Sequence, residues 1–339
     1  MSPQPTSHFA CLRSPFSLIR LSFLGYLLVP SVLVAQADSA LPGLVERLAA
    51  MTAVTGYEQY MVDTLLTLLP GAVRDRAGNV VLTLGAGTRQ RAAVCPLDEP
   101  GYAVGGIRAD GYLTLRQIGT RLPALFDQQL EGQRITVYGR RRAVPGVVGV
   151  HSVHLARGRG VPSVSSFTLD SAYVDVGATT RAEVTNLGVG VLSPVTLAKR
   201  PHRYGAQLIA SPVAGRRAAC ASLLAAARRA IAEKGMIPRA EAVVVAFVVE
   251  QNLRAGGLST LTNTRGPFSE TLLVDGSPGK LGSIIRTTDP DTSSTFPGLG
   301  KRARWALPVR YAGTAVETVS LFDADSLRSA LVGWIEGAQ

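Results

Sequence analysis

The sequence predicts an α/β fold: a mixed sheet flanked by helices and interrupted by a small β-barrel-like inserted domain. Three observations predict it. Ala242 to Val249 (AVVVAFVV) is a continuous apolar run, the pattern of a strand buried on both faces. Ala214 to Lys234 is an Ala/Leu-rich helix ending before Gly235 and Pro238, and helices of this kind alternate with short strands. From about Tyr102 to Asp170 the helical period vanishes and Gly and Val dominate, which marks a separate β-rich unit.

The elements follow in order. Arg13 and Arg20 precede an apolar run, Leu21 to Ala35, and Ala35-Gln36-Ala37 is a small-x-small cleavage site, so residues 1–37 read as an export signal. The protein is then expected in the periplasm or outside the cell. An uncleaved signal is the only membrane attachment this predicts, and its run is short against the roughly 18 apolar residues a span needs. Leu44 to Met51 and Tyr57 to Leu69 carry apolar residues at helical spacing, separated by Thr55-Gly56. Asn79 to Leu84 and Ala92 to Leu97 read as strands; Gln133 to Val137 and Gly146 to Val150 are strands of the insertion. Thr271 to Val274 and Ala306 to Tyr311 are further strands, and Gly85-Ala86-Gly87 and Gly256-Gly257 are turns. Arg286 to Lys301 is a Thr/Ser/Pro/Gly loop. Asp323 to Ile335 is a closing helix with Asp325 or Ser326 near its cap. The α/β domain is expected over 38–101 and 171–339, and the insertion over 102–170.

The formal net charge is +11; the first 37 residues hold two Arg and no carboxylate, so +9 remains without them. Export argues against nucleic acid as the partner of this basic chain and leaves anionic envelope polymers as one alternative. Without the signal, Cys95 and Cys220 are the remaining cysteines. They admit a disulfide, which export allows, or two free buried thiols, which their apolar surroundings suggest.

Several segments, taken together and in order, resemble the glutamyl and tetrahedral aminopeptidases, a family of peptidases with two co-catalytic metals. Thr55-Gly56-Tyr57-Glu58 is similar to its first helix turn, and Asp75-Arg76-Ala77-Gly78-Asn79 to its D-x-x-G-N segment. Leu97-Asp98-Glu99-Pro100-Gly101-Tyr102 resembles H-M-D-E-I-G-F, Val174-Asp175-Val176-Gly177-Ala178 resembles I-D-I-G-A, and Phe247-Val248-Val249-Glu250-Gln251 resembles V-Q-E-E. Pro308-Val309-Arg310-Tyr311 and Val316-Glu317 bracket the last strand. The resemblance implies a zinc-aminopeptidase-like sheet, zinc or cobalt as cofactor, peptide substrates and a homo-oligomeric shell.

The same resemblance exposes losses. It puts the first metal histidine on Pro96, the bridging aspartate near Gly215, a metal glutamate on Gln251 and the last metal histidine on Gly313. Asp275 is the residual ligand, Glu250 the vestigial base and Asp98 its supporting carboxylate. No shift of register restores the bridge, because the 49 residues from Val184 to Ala232 hold no carboxylate. No histidine occurs between His8 and His151 or after His202. Two divalent cations need such donors to activate water. His151-x-x-His154 is no substitute: in a strand, positions three apart point to opposite faces. His202, between Arg200 and Arg203, reads as part of a solvated basic loop.

Without metals, the carboxylates of Asp98, Glu250 and Asp275 need another counter-charge. Arg216 and Arg217 stand where the bridging motif stood, and a guanidinium suits paired carboxylates. The expectation is an exported, catalytically inactive relative with no cofactor, binding a peptide or protein. The alternatives are a hydrolase with a rebuilt zinc or cobalt site and an envelope protein binding anionic polymers.

Overall fold

The computed structural model describes residues 40–119, 122, 126–149, 167–233, 237–289 and 297–337. The segment expected to be an export signal, His151, His154 and residues 290–296 of the predicted loop lie outside them.

The main sheet has seven strands: β1 (Val73–Arg74), β2 (Val80–Gly85), β12 (Glu241–Val248), β3 (Arg89–Pro96), β13 (Glu270–Pro278), β15 (Lys301–Val309) and β14 (Ile285–Asp289), in that spatial order. The four strands from β12 to β15 are parallel, and the outer ones pair antiparallel. All of β12 except Glu241 is buried. Its side chains alternate between two cores: Val243, Val245 and Phe247 face one, and Val244, Ala246 and Val248 face the other.

The first core is closed by α1 (Leu41–Ala49), α2 (Gln59–Leu68), α4 (Ala214–Ala232) and α6 (Leu321–Glu336). The second is closed by α5 (Gly256–Arg265) through Leu258 and Leu261. Gly256-Gly257, expected as a turn, therefore starts a helix, which is held by leucines three residues apart. The start of α6 also differs from expectation. Ser320 is its cap, its hydroxyl accepting the Asp323 N–H at 3.4 Å, so Asp325 and Ser326 lie inside the helix. The predicted loop begins as β14, an edge strand on β15. His202 lies in β10 (His202–Tyr204), which pairs with β11 (Leu208–Ala210); β16 (Thr318–Ser320) completes that small sheet. His202 is exposed and stacks on Tyr204, with ring centroids 6.1 Å apart.

A closed barrel interrupts this domain. Its strands are β4 (Gly101–Ile107), β5 (Leu113–Ile118), β6 (Arg134–Tyr138), β7 (Ala143–Gly149), β8 (Tyr173–Asp175) and β9 (Pro194–Leu197). It has its own core, including Val104, Leu113, Ile135 and Val137, to which α3 (Arg181–Asn186) adds Val184. The barrel runs further than the expected limit at Asp170. Val174 pairs with both Leu113 and Val148, and Val195 with both Tyr102 and Val137, so closure needs β8 and β9. Ending at Asp170 would leave unpaired edges.

Cys95 and Cys220 form a disulfide with their Cα atoms 5.5 Å apart. The free-thiol alternative is thereby excluded: Cys95 on β3 and Cys220 on α4 point into the same core. Among the described residues no helix is long and apolar enough to cross a membrane.

Candidate functional site

The parallel strands β3, β12, β13 and β15 end together, the position at which open α/β sheets carry their sites. Beyond β3 the chain runs through Leu97, Asp98 and Glu99 before the barrel begins. Asp98 is fully buried. Its Oδ2 accepts from the Thr55 hydroxyl and from the Asn252 N–H, each at 2.8 Å. Among the described residues its Oδ1 has no hydrogen-bond partner; it lies 3.7 Å from Arg216 Nη1.

The start of α4 is pressed against the sheet. A Cβ on Gly215 would sit 2.4 Å from Val309 Cγ2 and 3.2 Å from the Gly276 Cα. An aspartate cannot enter there without moving β13 or β15. The Gly215 N–H instead donates to Glu317 Oε1 at 2.8 Å, and the Gly313 N–H donates to Glu317 Oε2 at 3.0 Å.

Arg216 follows and turns towards the strand ends. Its Nε and Nη2 reach Asp275 Oδ1 and Oδ2, both at 3.0 Å, a two-pronged guanidinium–carboxylate pair. Its Nη1 also donates to the Asp98 carbonyl. Arg217 has a different partner. It is fully buried, donates from Nη2 to Glu99 Oε2 at 2.7 Å and from Nη1 to the Leu97 carbonyl, and its Nε has no partner among the described residues. Glu99 also takes Lys199 Nζ at 2.5 Å and the Ala53 N–H at 3.2 Å. Thus Arg216 gathers Asp98 and Asp275, while Arg217 and Lys199 enclose Glu99.

The carboxylates differ in how they tolerate charge. Burial pushes Glu99 up, but Lys199 and Arg217 together hold it below its ordinary value. Burial pushes Glu317 up, and the two backbone N–H groups only partly offset this. Glu58 is also raised by burial; its Oε1 accepts the Gly56 and Glu250 N–H groups at 3.1 and 2.9 Å. Lys199 is lowered by its burial despite Glu99.

Glu250 stands apart from the arginines. Its backbone is left-handed (φ 53°), and Oε2 lies 2.8 Å from where a Cβ on Gly256 would be, over the start of α5. Of the three expected carboxylates, Asp98 and Asp275 share Arg216; Glu250 joins them only through the chain that also carries the Asn252 N–H. Gln251, next to it, is half-buried. Sequence pattern alone does not nominate Glu99, Lys199, Glu58 or Glu317 as site residues. The adjacent Asp98-Glu99 pair directly after an apolar strand is a usable signal; Lys199 offers none.

The donors do not fit a co-catalytic metal pair. Pro96, Gly215 and Gly313 carry no side-chain donor, and Gln251 offers only a neutral amide oxygen. Asp275 already holds a fixed cation on both oxygens. Among the described residues no three His, Cys, Asp or Glu side chains are grouped to bind an ion. Beside Arg216 a cleft of about 180 Å³ lies between sheet and barrel, walled mainly by apolar residues such as Tyr102, Phe126, Leu197, Val213 and Val309.

A seven-stranded α/β sheet with a closed barrel inserted after β3 is a fold this chain shares with solved aminopeptidases. The profile of the M42 glutamyl aminopeptidases matches residues 78–263, and the chain belongs to that family. The lysyl aminopeptidase of Pyrococcus furiosus is 26% identical over 269 residues, 76% of this chain and 70% of that protein. The Escherichia coli protein SgcX is 29% identical over 182 residues, 52% of this chain, and the match spans about half of its length (47%). Among solved structures, the TET1 peptidase of Pyrococcus horikoshii, which can assemble into a tetrahedron or a large octahedral shell, superposes with a TM-score of 0.77 at 19% identity over 87% of this chain and 99% of that one. The aminopeptidase APDkam598 of Desulfurococcus kamchatkensis gives 0.73 at 20% identity over 87% and 94%. At these identities the structures speak for the fold.

Proposed function

We propose that this chain is an exported member of the family whose metallopeptidase centre has become a structural ion-pair network, and that it acts by binding a peptide or protein. The observation that carries the reading is the Arg216 guanidinium, which takes both oxygens of Asp275 and the carbonyl of Asp98. A guanidinium keeps its charge at every accessible pH and activates no water. With no side-chain donors at Pro96, Gly215 and Gly313 to hold a metal pair, Glu250, where the resemblance puts the general base, would have no metal-bound water to deprotonate. The Cys95–Cys220 disulfide agrees with an oxidising compartment. Assembly into a homo-oligomer is part of the proposal, by analogy with the TET structures.

The test is metal content and turnover of the purified protein. After dialysis against zinc, cobalt or manganese, elemental analysis is expected to find no stoichiometric ion. Glutamyl, leucyl and alanyl anilides are expected to turn over at background, with Glu250→Gln equal to wild type. A tightly bound ion, or a rate that drops in Glu250→Gln, overturns the reading in favour of a rebuilt hydrolase.

A further inference from the structure

A groove of about 970 Å³ opens between the start of α2 and the turn joining β6 to β7. It shares no lining residue with the cleft at Arg216. Its walls are mostly apolar or aromatic, and none of its lining residues is Asp or Glu. The turn is Arg140-Arg141-Arg142, all three exposed. Among the described residues, no hydrogen bond or ion pair engages their guanidinium groups.

The walls are fastened in place. The Tyr57 hydroxyl donates to the Leu192 carbonyl at 2.8 Å, and the Tyr138 and Thr52 hydroxyls lie 2.6 Å apart. Both bonds tie the α/β domain to the barrel side, so the groove is preformed, which lowers the ordering cost of binding. Around it Tyr60, Val191 and Leu192 are 70%, 60% and 66% exposed. Large apolar side chains gathered at one preformed groove mark an interaction surface.

We propose that this groove docks an acidic peptide segment of a partner protein, with apolar side chains on its floor and carboxylates on the three arginines. Charge decides among occupants. A second copy of this chain, still +9 without its first 37 residues, would bring another basic molecule to the arginine rim. A flat membrane surface does not enter a concave groove. A sugar or nucleic-acid polyanion would use the rim but leave the apolar floor uncovered. Only a chain carrying both carboxylates and apolar side chains complements both parts. The inference stands independently of whether the Arg216 site is catalytic.

The test is fluorescence anisotropy with a panel of labelled octapeptides alternating Glu with Leu, Phe or Tyr. Controls are the same peptides with Gln for Glu, polyglutamate, and a single-stranded oligonucleotide. Acidic–apolar members are expected to bind at least about tenfold more tightly than their Gln counterparts. Binding should weaken as salt rises from about 0.1 M to about 1 M, which cuts the screening length from about 10 Å to about 3 Å. The triple change Arg140→Gln, Arg141→Gln, Arg142→Gln and the single change Tyr60→Ala should each weaken binding by about tenfold. Both alter exposed side chains, so the fold is retained. Absence of binding across the panel overturns the proposal. So does equal binding of polyglutamate or the oligonucleotide, or self-association that Leu192→Asp abolishes.

Discussion

Arg216 and Asp275 meet prong to prong, with Nε and Nη2 each 3.0 Å from a different carboxylate oxygen. Both side chains are largely buried, 16% and 17% exposed. Asp98, fully buried behind them, is 3.7 Å from the same guanidinium. Positive charge at the strand ends is thus supplied by the chain itself. The helix that delivers it lies so close to β13 that a Cβ on Gly276 would stand 2.8 Å from the Gly215 Cα. Charge and packing are linked: the close approach at Gly215, where the resemblance would put the bridging aspartate, also brings Arg216 over the carboxylates.

Arg216→Met should therefore leave Asp98 without a guanidinium and Asp275 with only the more distant Arg304, 3.9 Å from its Oδ2. Removing one partner of a buried pair costs about 3–5 kcal/mol. Arg216→Met with Asp275→Asn should recover part of that loss, since one stranded charge is gone. Urea melts of the two variants and wild type decide it. Arg216→Met unfolding at the wild-type midpoint would show that the pair contributes nothing.

The second network is asymmetric. Arg217→Met leaves Glu99 with Lys199 at 2.5 Å, whereas Glu99→Gln leaves two buried cations facing each other. Glu99→Gln is therefore expected to be the more damaging change, near the upper end of about 3–5 kcal/mol, with Arg217→Met below it. Comparison of their denaturant midpoints is the check, and the reverse order would place the main partner of Glu99 elsewhere.

Much of the fold is legible because it depends on local pattern. The run Ala242 to Val249 reads as a strand because both faces are buried, and Val243 and Val244 indeed enter different cores. The barrel's far limit is not legible, because β8 and β9 are three and four residues long and exist only as partners of distant strands. The site divides similarly. The resemblance assigns ligand positions to Pro96, Gly215, Gln251 and Gly313, whose lack of strong donor atoms is plain from residue type alone, and it nominates Arg216 from its place in the motif. That Arg217 turns to Glu99 cannot be, because two adjacent helix residues point about 100° apart and only packing says what each meets. Lys199 reaches Glu99 across 100 residues of chain.

The disulfide brackets the barrel. Cys95 precedes β4 and Cys220 follows β9, so the 125-residue separation encloses the whole inserted domain. The two cores are distinct. Replacing residues 101–197 by a short Gly/Ser linker should leave an α/β domain that unfolds cooperatively while oxidised. Reduction should cost that variant less than it costs the full chain, because the loop closed by the bond is shorter. Calorimetry with and without reductant measures both. A non-cooperative melt of the soluble oxidised variant would mean that the barrel is integral to the main core.

Glu317 links stability to pH. Its carboxyl is buried first of all, and this outweighs the Gly215 and Gly313 N–H groups, so its folded pKa lies above the ordinary 4.5. The folded chain then holds this proton at pH values where the unfolded chain has released it. Between the two pKa values the native state binds more protons, and stability falls as pH rises. The favourable contribution is complete below about 4.5 and is lost as pH climbs through the raised folded value. Glu317→Gln cannot ionise, so this loss should vanish. The variant gives up one acceptor for a backbone N–H and is expected to be the less stable protein at acid pH. As pH rises above about 4.5 the gap in Tm should narrow, because only wild type pays the ionisation cost. Melts of both proteins at several pH values on either side of that point read the difference directly. A gap that widens with pH would mean that Glu317 is held as a carboxylate, with Arg216 and the two N–H groups outweighing its burial.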